Sequence, residues 1–276
     1  MRPPLRRQNY HEVVHEVADR LDMPLSLPQA SLTHLPDAPL LVALAQVRFA
    51  PMHAIEKPER VADFQDHLAD SYVAREPQVP QTFTIQFGPV SAGPPLAPER
   101  VWPFEDQERG WSVALSSSSL ALQASSYGDF EDFAAEFRSA LSALSETFQP
   151  KLRSRIGLRY INEISDPRLE AGAKIFEVIR SELLSPIGSD LGFDLAGSLC
   201  ELRFHETQGI LGLRYGLIRP GTYLLDFDYF IENEVEFSSA EIGETVGAFH
   251  ETIERLFVWC LADGYLNELR EGEHAG

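Results

Sequence analysis

The stretch GILGLRYGLIRPGTYLLDFDYFIE, residues 209–232, decides the fold class of this chain. Leu211, Leu213 and Tyr215 alternate with Gly212, Arg214 and Gly216, and beyond Arg219-Pro220-Gly221 the run Tyr223, Leu225, Phe227, Tyr229 alternates with Leu224, Asp226, Asp228 and Phe230. A period of two on both arms of a Pro-Gly turn is an antiparallel hairpin, because successive strand side chains point to opposite faces. If Leu and Tyr enter the core, Arg214, Asp226 and Asp228 leave it on the other side.

Working backwards, SLCELRFHE (residues 198–206) puts Cys200, Leu202 and Phe204 on the same core face. A turn at Glu206-Thr207-Gln208-Gly209 then sets Glu201 opposite Arg214. A three-residue loop, Arg219-Pro220-Gly221, would pair Ile218 with Thr222 and set Asp226 opposite Arg214 as well. The face turned from the core is therefore expected to carry a row Glu201, Arg214, Asp226 and beside it a row Arg203, Gly212, Asp228. Gly212 and Gly216 are expected to leave gaps over which Arg203 reaches Asp228 or an incoming group. The plainer reading is a solvated lattice of ion pairs, each worth about 0.2–1 kcal/mol. Leu199, Ile210, Ile218, Leu224 and Phe230 share that face, however, and a surface so apolar asks for a cover: the other half of the chain, a second subunit, a peptide or a small ligand.

The tetrapeptide GLRY occurs twice, at residues 157–160 and 212–215, and VRF at residues 47–49 has the same form. Arg48 and Arg159 are thereby forced from the core like Arg214, but their own strands offer no acidic neighbour. They are the better candidates to fix a carboxylate bidentately at a seam between the halves.

Along the rest of the chain, residues 10–21 have helical spacing and residues 23–39 read as a proline-punctuated linker. A strand at 42–49, a helix at 57–73 with Pro58 in its first turn, and strands at 82–88 and around VWPFE follow. A hairpin then turns about Ser117-Ser118, and a helix with Asp129 as N-cap runs to Phe148. The second half repeats the order: strand 155–164, helix 171–184, the three strands above, and a long helix opened by Ser238 and Glu241 in capping-box spacing. Arg48 and Arg159, and the starts of the two long helices, lie about 110 residues apart, as a duplicated β-α-β-β-β-α unit requires. The fold class expected is α+β, with antiparallel sheets and long helices packed on one face. Residues 1–34 form an N-terminal helix and linker, 35–150 the first repeat and 151–276 the second. The pattern leaves open whether the sheets join edge to edge. On the first half, the face turned from the core is small and neutral: Gln46, Thr82, Thr84, Gln86, Ser112, Ala114, Ser116, Gln123 and Ser125 accompany Arg48.

The composition supports a sizeable core, with 44% hydrophobic residues in 276. A formal charge of −19, from 23 Lys+Arg against 42 Asp+Glu, argues against general nucleic-acid or anionic-membrane binding. The first residues hold no secretory h-region, and Cys200 and Cys260 sit among apolar neighbours, so a cytoplasmic protein with inert core thiols is expected. HEVVH, at His11, Glu12 and His15, matches the zinc-hydrolase helix motif HExxH. The extended form fails because Ala18 and Leu21 stand at its Gly and His positions, and a charged surface helix is the plainer reading. HETIE (His250 to Glu254) reads as a His/Glu helix face, and SSSS (residues 116–119) as a hairpin turn. No nucleotide loop, serine elbow or CxxC occurs.

PLLVALAQVRFAP (residues 39–51), RIGLRYINEI (residues 155–164) and FVWCLADGYLNELR (residues 257–270) together resemble a sporadically distributed, uncharacterised family of bacterial proteins. The likeness covers residues 35–270 and brings no catalytic residue or cofactor with it. Sporadically distributed bacterial families often serve mobile defence loci or specialised biosynthetic operons, and a role in one of these is expected by association only. The absence of an assembled catalytic motif and the half-apolar, charge-patterned sheet face point to an accessory role. The expectation is a non-catalytic binding protein with no cofactor, acting on a protein or peptide partner, a homodimer included. Two alternatives stand behind it: a small-molecule-binding protein or enzyme holding an acidic ligand with Arg48, Arg159, Arg203 and Arg214, and a metal-dependent hydrolase using HEVVH.

Overall fold

In a computed structural model, residues 25, 27, 35, 38–78, 99–170, 174–184 and 197–272 are described. The N-terminal helix with His11 and His15, and the strand expected at 82–88, lie outside them. The strands are β1 (Leu40–Phe49), β2 (Val73–Ala74), β3 (Val101–Asp106), β4 (Trp111–Ser116), β5 (Ser119–Ala124), β6 (Leu152–Ser165), β7 (Cys200–Glu206), β8 (Gly209–Arg219) and β9 (Thr222–Glu236). They form one nine-stranded antiparallel sheet in the order β2-β3-β4-β5-β1-β6-β9-β8-β7. The described helices are α1 (Pro58–Gln65), α2 (Phe130–Phe148), α3 (Ser239–Cys260) and α4 (Asp263–Glu271). The class is mixed α+β, and none of the described helices is long and apolar enough to cross a membrane.

The question of how the halves meet has a definite answer: β1 and β6 pair along their length, from Leu40 opposite Asn162 to Phe49 opposite Arg153. No cleft separates two sheets, because both halves share one surface. Alternation fixes which side is the core. Ala43, Ala45 and Val47 of β1, Ile156 and Leu158 of β6, and Leu225 and Phe227 of β9 are fully buried beneath the helices. On α2, Phe133, Phe137, Leu141, Leu144 and Phe148 recur at helical spacing, and on α3 Ile242, Val246, Phe249, Ile253 and Phe257 do the same. Each such side chain contributes about 1.5–3 kcal/mol on leaving water, which fastens both helices to one face of the sheet. The helix starts are capped as expected: Asp129 accepts from the Asp132 amide at 2.8 Å and Ser238 from the Glu241 amide at 3.3 Å.

Three expectations are corrected. The helix expected at 57–73 stops at Gln65, and Val73–Ala74 instead pairs with β3. Within the expected helix at 171–184, the described residues 174–184 form two short 3-10 turns, Ile175–Glu177 and Ser181–Leu183. The chain breaks between them because its backbone groups bond elsewhere: the Arg180 amide donates to the Cys260 carbonyl and the Ala262 amide to the Val178 carbonyl, bridging Ile179 to Leu261. Ile175, Val178, Ile179, Leu183 and Leu184 are still buried, so the apolar spacing served burial without a helix. Finally, Thr222 pairs with Arg219 and not with Ile218. Pro220 and Gly221, the latter at φ +79°, make a two-residue turn, and Ile218 is left as a bulge on β8.

Candidate functional site

The surface turned from the helices is built from the other half of each strand's alternation. Glu201, Arg214 and Asp226 stand in one cross-strand row, and Arg203, Gly212 and Asp228 in the next, as the hairpin registers require. On β6, Arg159 is directly opposite Asp228, yet its guanidinium reaches diagonally to Asp226, with Nε–Oδ1 and an Nη–Oδ2 contact both at 2.8 Å. Arg214 comes to the same carboxylate from β8, Nε to Oδ2 at 3.3 Å. Asp226, only 4% exposed, is thus clamped between two arginines, and charge-assisted bonds of this geometry are the strong ones. The hydrogen bonds that Arg159 donates to the Asp226 carboxylate outweigh its partial burial and leave the guanidinium more firmly protonated than usual.

Arg203 does not reach Asp228 across Gly212. It turns back along its own strand to Glu201, Nε to Oε1 at 2.7 Å, at the exposed edge of the sheet. Nor is Gly216 a gap: a Cβ there would stand 2.0 Å from the Ser198 carbonyl oxygen, because residues 197–199 run against it and the Ser198 amide donates to the Leu217 carbonyl.

Asp228 is held by a residue that the sequence reading passed over, Arg155. Its Nη lies 3.4 Å from Asp228 Oδ1, its Nε 3.7 Å from Glu232, and its guanidinium covers the Phe230 ring at 4.7 Å. Burial of Asp228 raises its carboxyl pKa, and Arg155 and Arg159 pull the other way. For Arg155, burial depresses the pKa, Asp228 opposes that, and Arg48 adds to it. The signal that could have found Arg155 is parity, since it stands two and four residues before Gly157 and Arg159. Gly157 is what lets its side chain lie down: a Cβ there would be 2.5 Å from an Arg155 nitrogen.

Arg48 is directly opposite Arg155 across the β1–β6 pairing and is exposed, with no ion pair among the described residues. Together Arg48, Arg155 and Arg159 line a shallow hollow of about 240 Å³ with Leu44, Gln46 and Asp228. Ser112, Ala114, Ser116 and Gln123 lie farther along the same face, on β4 and β5. The structure therefore brings Arg48 and Arg159 together at the seam. Arg159, Arg214 and Asp226 form a closed group beside it, and Glu201 with Arg203 stands apart at the edge.

The class defined is an antiparallel α+β protein with one helix-covered face and one charged face. No protein-family model matches the chain, and a search of curated proteins finds no match.

Proposed function

We propose that the charged face is a recognition surface, and that the protein is a non-catalytic binding or accessory protein whose partner brings a carboxylate to Arg48 and Arg155. The observation that carries this reading is the Arg48–Arg155 cross-strand pair. Like charges directly opposite in a sheet repel, and Asp228 and Glu232 compensate only Arg155. In a chain of formal charge −19 an uncompensated arginine beside another is a specific attractor for an acidic group.

An acidic side chain on a protein or peptide partner fits best, because the hollow is shallow and lies beside the uncharged polar surface of Ser112 and Gln123 on β4 and β5. A second copy of this chain, itself acidic, is one such partner. The second reading, a free small-molecule acid, is favoured by the 240 Å³ of the hollow itself. Arg203 and Glu201 then lie on the rim of the interface, and Arg159, Arg214, Asp226 and Asp228 hold its floor rigid.

The strand order supports a duplicated unit: read outward from the β1–β6 seam, β1-β5-β4-β3 on one side answers β6-β9-β8-β7 on the other. On that reading residues 35–150 and 151–276 are two β-α-β-β-β-α copies, the second with 3-10 turns among the described residues where the first has α1. The family resemblance, and with it a place in a defence or biosynthetic operon in the cytoplasm, belongs to this same proposal.

The test is charge reversal. Arg48→Glu is expected to abolish capture of the partner from the source cells, and Lys in place of the partner's contacting carboxylate is expected to restore it. Titration with glutamate and citrate separates the small-acid reading, and sedimentation equilibrium separates self-association. If capture, anion binding and oligomeric state are all the same for Arg48→Glu and the unmodified protein, the reading fails.

A further inference from the structure

On the opposite side of the sheet, between the start of α2, the middle of α3 and the first residues of β1, lies a cavity of about 480 Å³. That size suits a drug-sized molecule. Its walls divide by chemistry. Tyr127, Phe130, Tyr160 and Phe257 supply ring faces and edges, and Leu35, Leu40 and Ile253 supply aliphatic surface. Asp129, Glu131, Glu251 and Glu254 supply carboxylates, and no lysine or arginine stands among the described lining residues.

A hydrogen-bonded chain of Tyr127, Tyr160 and His250 runs through the wall, and Glu254 stands just beyond its end. The Tyr127 and Tyr160 hydroxyls are 3.2 Å apart, the Tyr160 hydroxyl is 3.1 Å from His250 Nδ1, and His250 Nε2 is 3.6 Å from a Glu254 oxygen. Phe130 stacks on the imidazole, centroids 3.9 Å apart and planes within 8°. Packing the ring in this way fixes its orientation. Burial lowers the His250 pKa to about 4, so at neutral pH the ring carries no charge with which to balance Glu254. Burial and then Glu251 raise the Glu254 pKa.

We infer that this cavity binds an organic cation with an apolar body, an aryl- or alkyl-ammonium compound, with its ammonium group at Glu254 and its body among the Tyr127, Tyr160 and Phe257 rings. Aromatic faces attract cations electrostatically, and more so where water is excluded. A carboxylate at one end of an apolar pocket fixes the orientation of such a ligand. Tyr160 belongs to the first GLRY: Arg159 serves the charged face while its neighbour in sequence serves the cavity. The two sites lie on opposite faces of one strand, so this inference does not depend on the proposal for the arginines.

Calorimetric titration with three matched probes tests it: tryptamine, the neutral alcohol tryptophol and the anion indole-3-propionate. Tryptamine is expected to bind at least about tenfold more tightly than tryptophol, and the anion not measurably. Glu254→Gln is expected to weaken tryptamine about tenfold and leave tryptophol unchanged, since it removes charge without removing volume. Glu251→Gln, at an exposed position, should weaken tryptamine less and serves if Glu254→Gln unfolds. Equal affinities for the three probes, no binding of tryptamine, or a tryptamine affinity indifferent to both substitutions would each overturn the inference.

Discussion

Arg155 faces Arg48 directly across the β1–β6 seam, and among the described residues only Arg155 has carboxylates within ion-pair reach, Asp228 at 3.4 Å and Glu232 at 3.7 Å. The two arginines should therefore answer mutation with opposite signs. Arg48→Ala relieves repulsion at an exposed site and is expected to leave stability unchanged or raise it by about 0.5 kcal/mol. Arg155→Ala leaves Asp228 without its nearest cation and is expected to cost about 1–3 kcal/mol. Urea unfolding of the two variants measures both, and a larger loss for Arg48→Ala would contradict the assignment.

Asp226 is the shared anion of Arg159 and Arg214 and is almost wholly buried. Asp226→Asn keeps the shape and removes the charge both guanidinium groups need, so a loss of about 3–5 kcal/mol is expected. Asp228→Asn should cost less, because burial already disfavours its charge. Comparing the two denaturation midpoints at one pH decides the ranking.

The rows Glu201–Arg214–Asp226 and Arg203–Gly212–Asp228 were legible because three adjacent strands alternate cleanly and a one-residue slip would have exposed every Leu and Tyr. What register could not say is where a long side chain goes. Arg159 passes over its direct neighbour Asp228 to the diagonal Asp226, and Arg203 prefers Glu201. Arg155 had the right parity but no acidic neighbour in its own strand, so its partners appear only once β9 is beside β6. The failure at residues 174–184 is of the same kind: the bonds to Cys260 and Ala262 that replace a helix come from a segment far along the chain, and no local pattern reports them. The cavity beside His250 was hidden for a further reason, since HETIE read as an ordinary helix face until Tyr127, Phe130 and Tyr160 were brought to it.

Gly157 and Gly212 both lie on the charged face, yet alanine should distinguish them. At Gly212 a Cβ meets only the Asp228 carbonyl oxygen at 3.6 Å, an ordinary contact, and Gly212→Ala is expected to stabilise by up to about 1 kcal/mol through the unfolded chain. At Gly157 the Cβ would displace the Arg155 guanidinium. Because that group is the end of a flexible side chain, the fold should survive while Arg155 leaves Phe230 and Asp228. Thermal melting should then show a loss of about 1 kcal/mol, with partner capture reduced as in Arg48→Glu.

His250 should give the protein a distinctive acid limb. Its ordinary pKa of 6.5 falls to about 4 in the folded protein because burial penalises the charged ring, and Tyr160, Phe130 and Glu254 enclose it. Between those values the unfolded chain holds the extra proton, so stability rises with pH across the window and is lost as pH falls through it, reaching a plateau near pH 4. The loss is up to about 3 kcal/mol at 1.36 kcal/mol per unit. Glu254, whose pKa burial raises, acts in the opposite direction and blunts the limb. Urea midpoints for the unmodified protein and His250→Gln between pH 4 and 7.5 should therefore diverge as pH falls, with the variant the flatter of the two. Parallel curves would mean that the imidazole takes up a proton in the folded protein as readily as in the unfolded one, and that the stack on Phe130 does not exclude water.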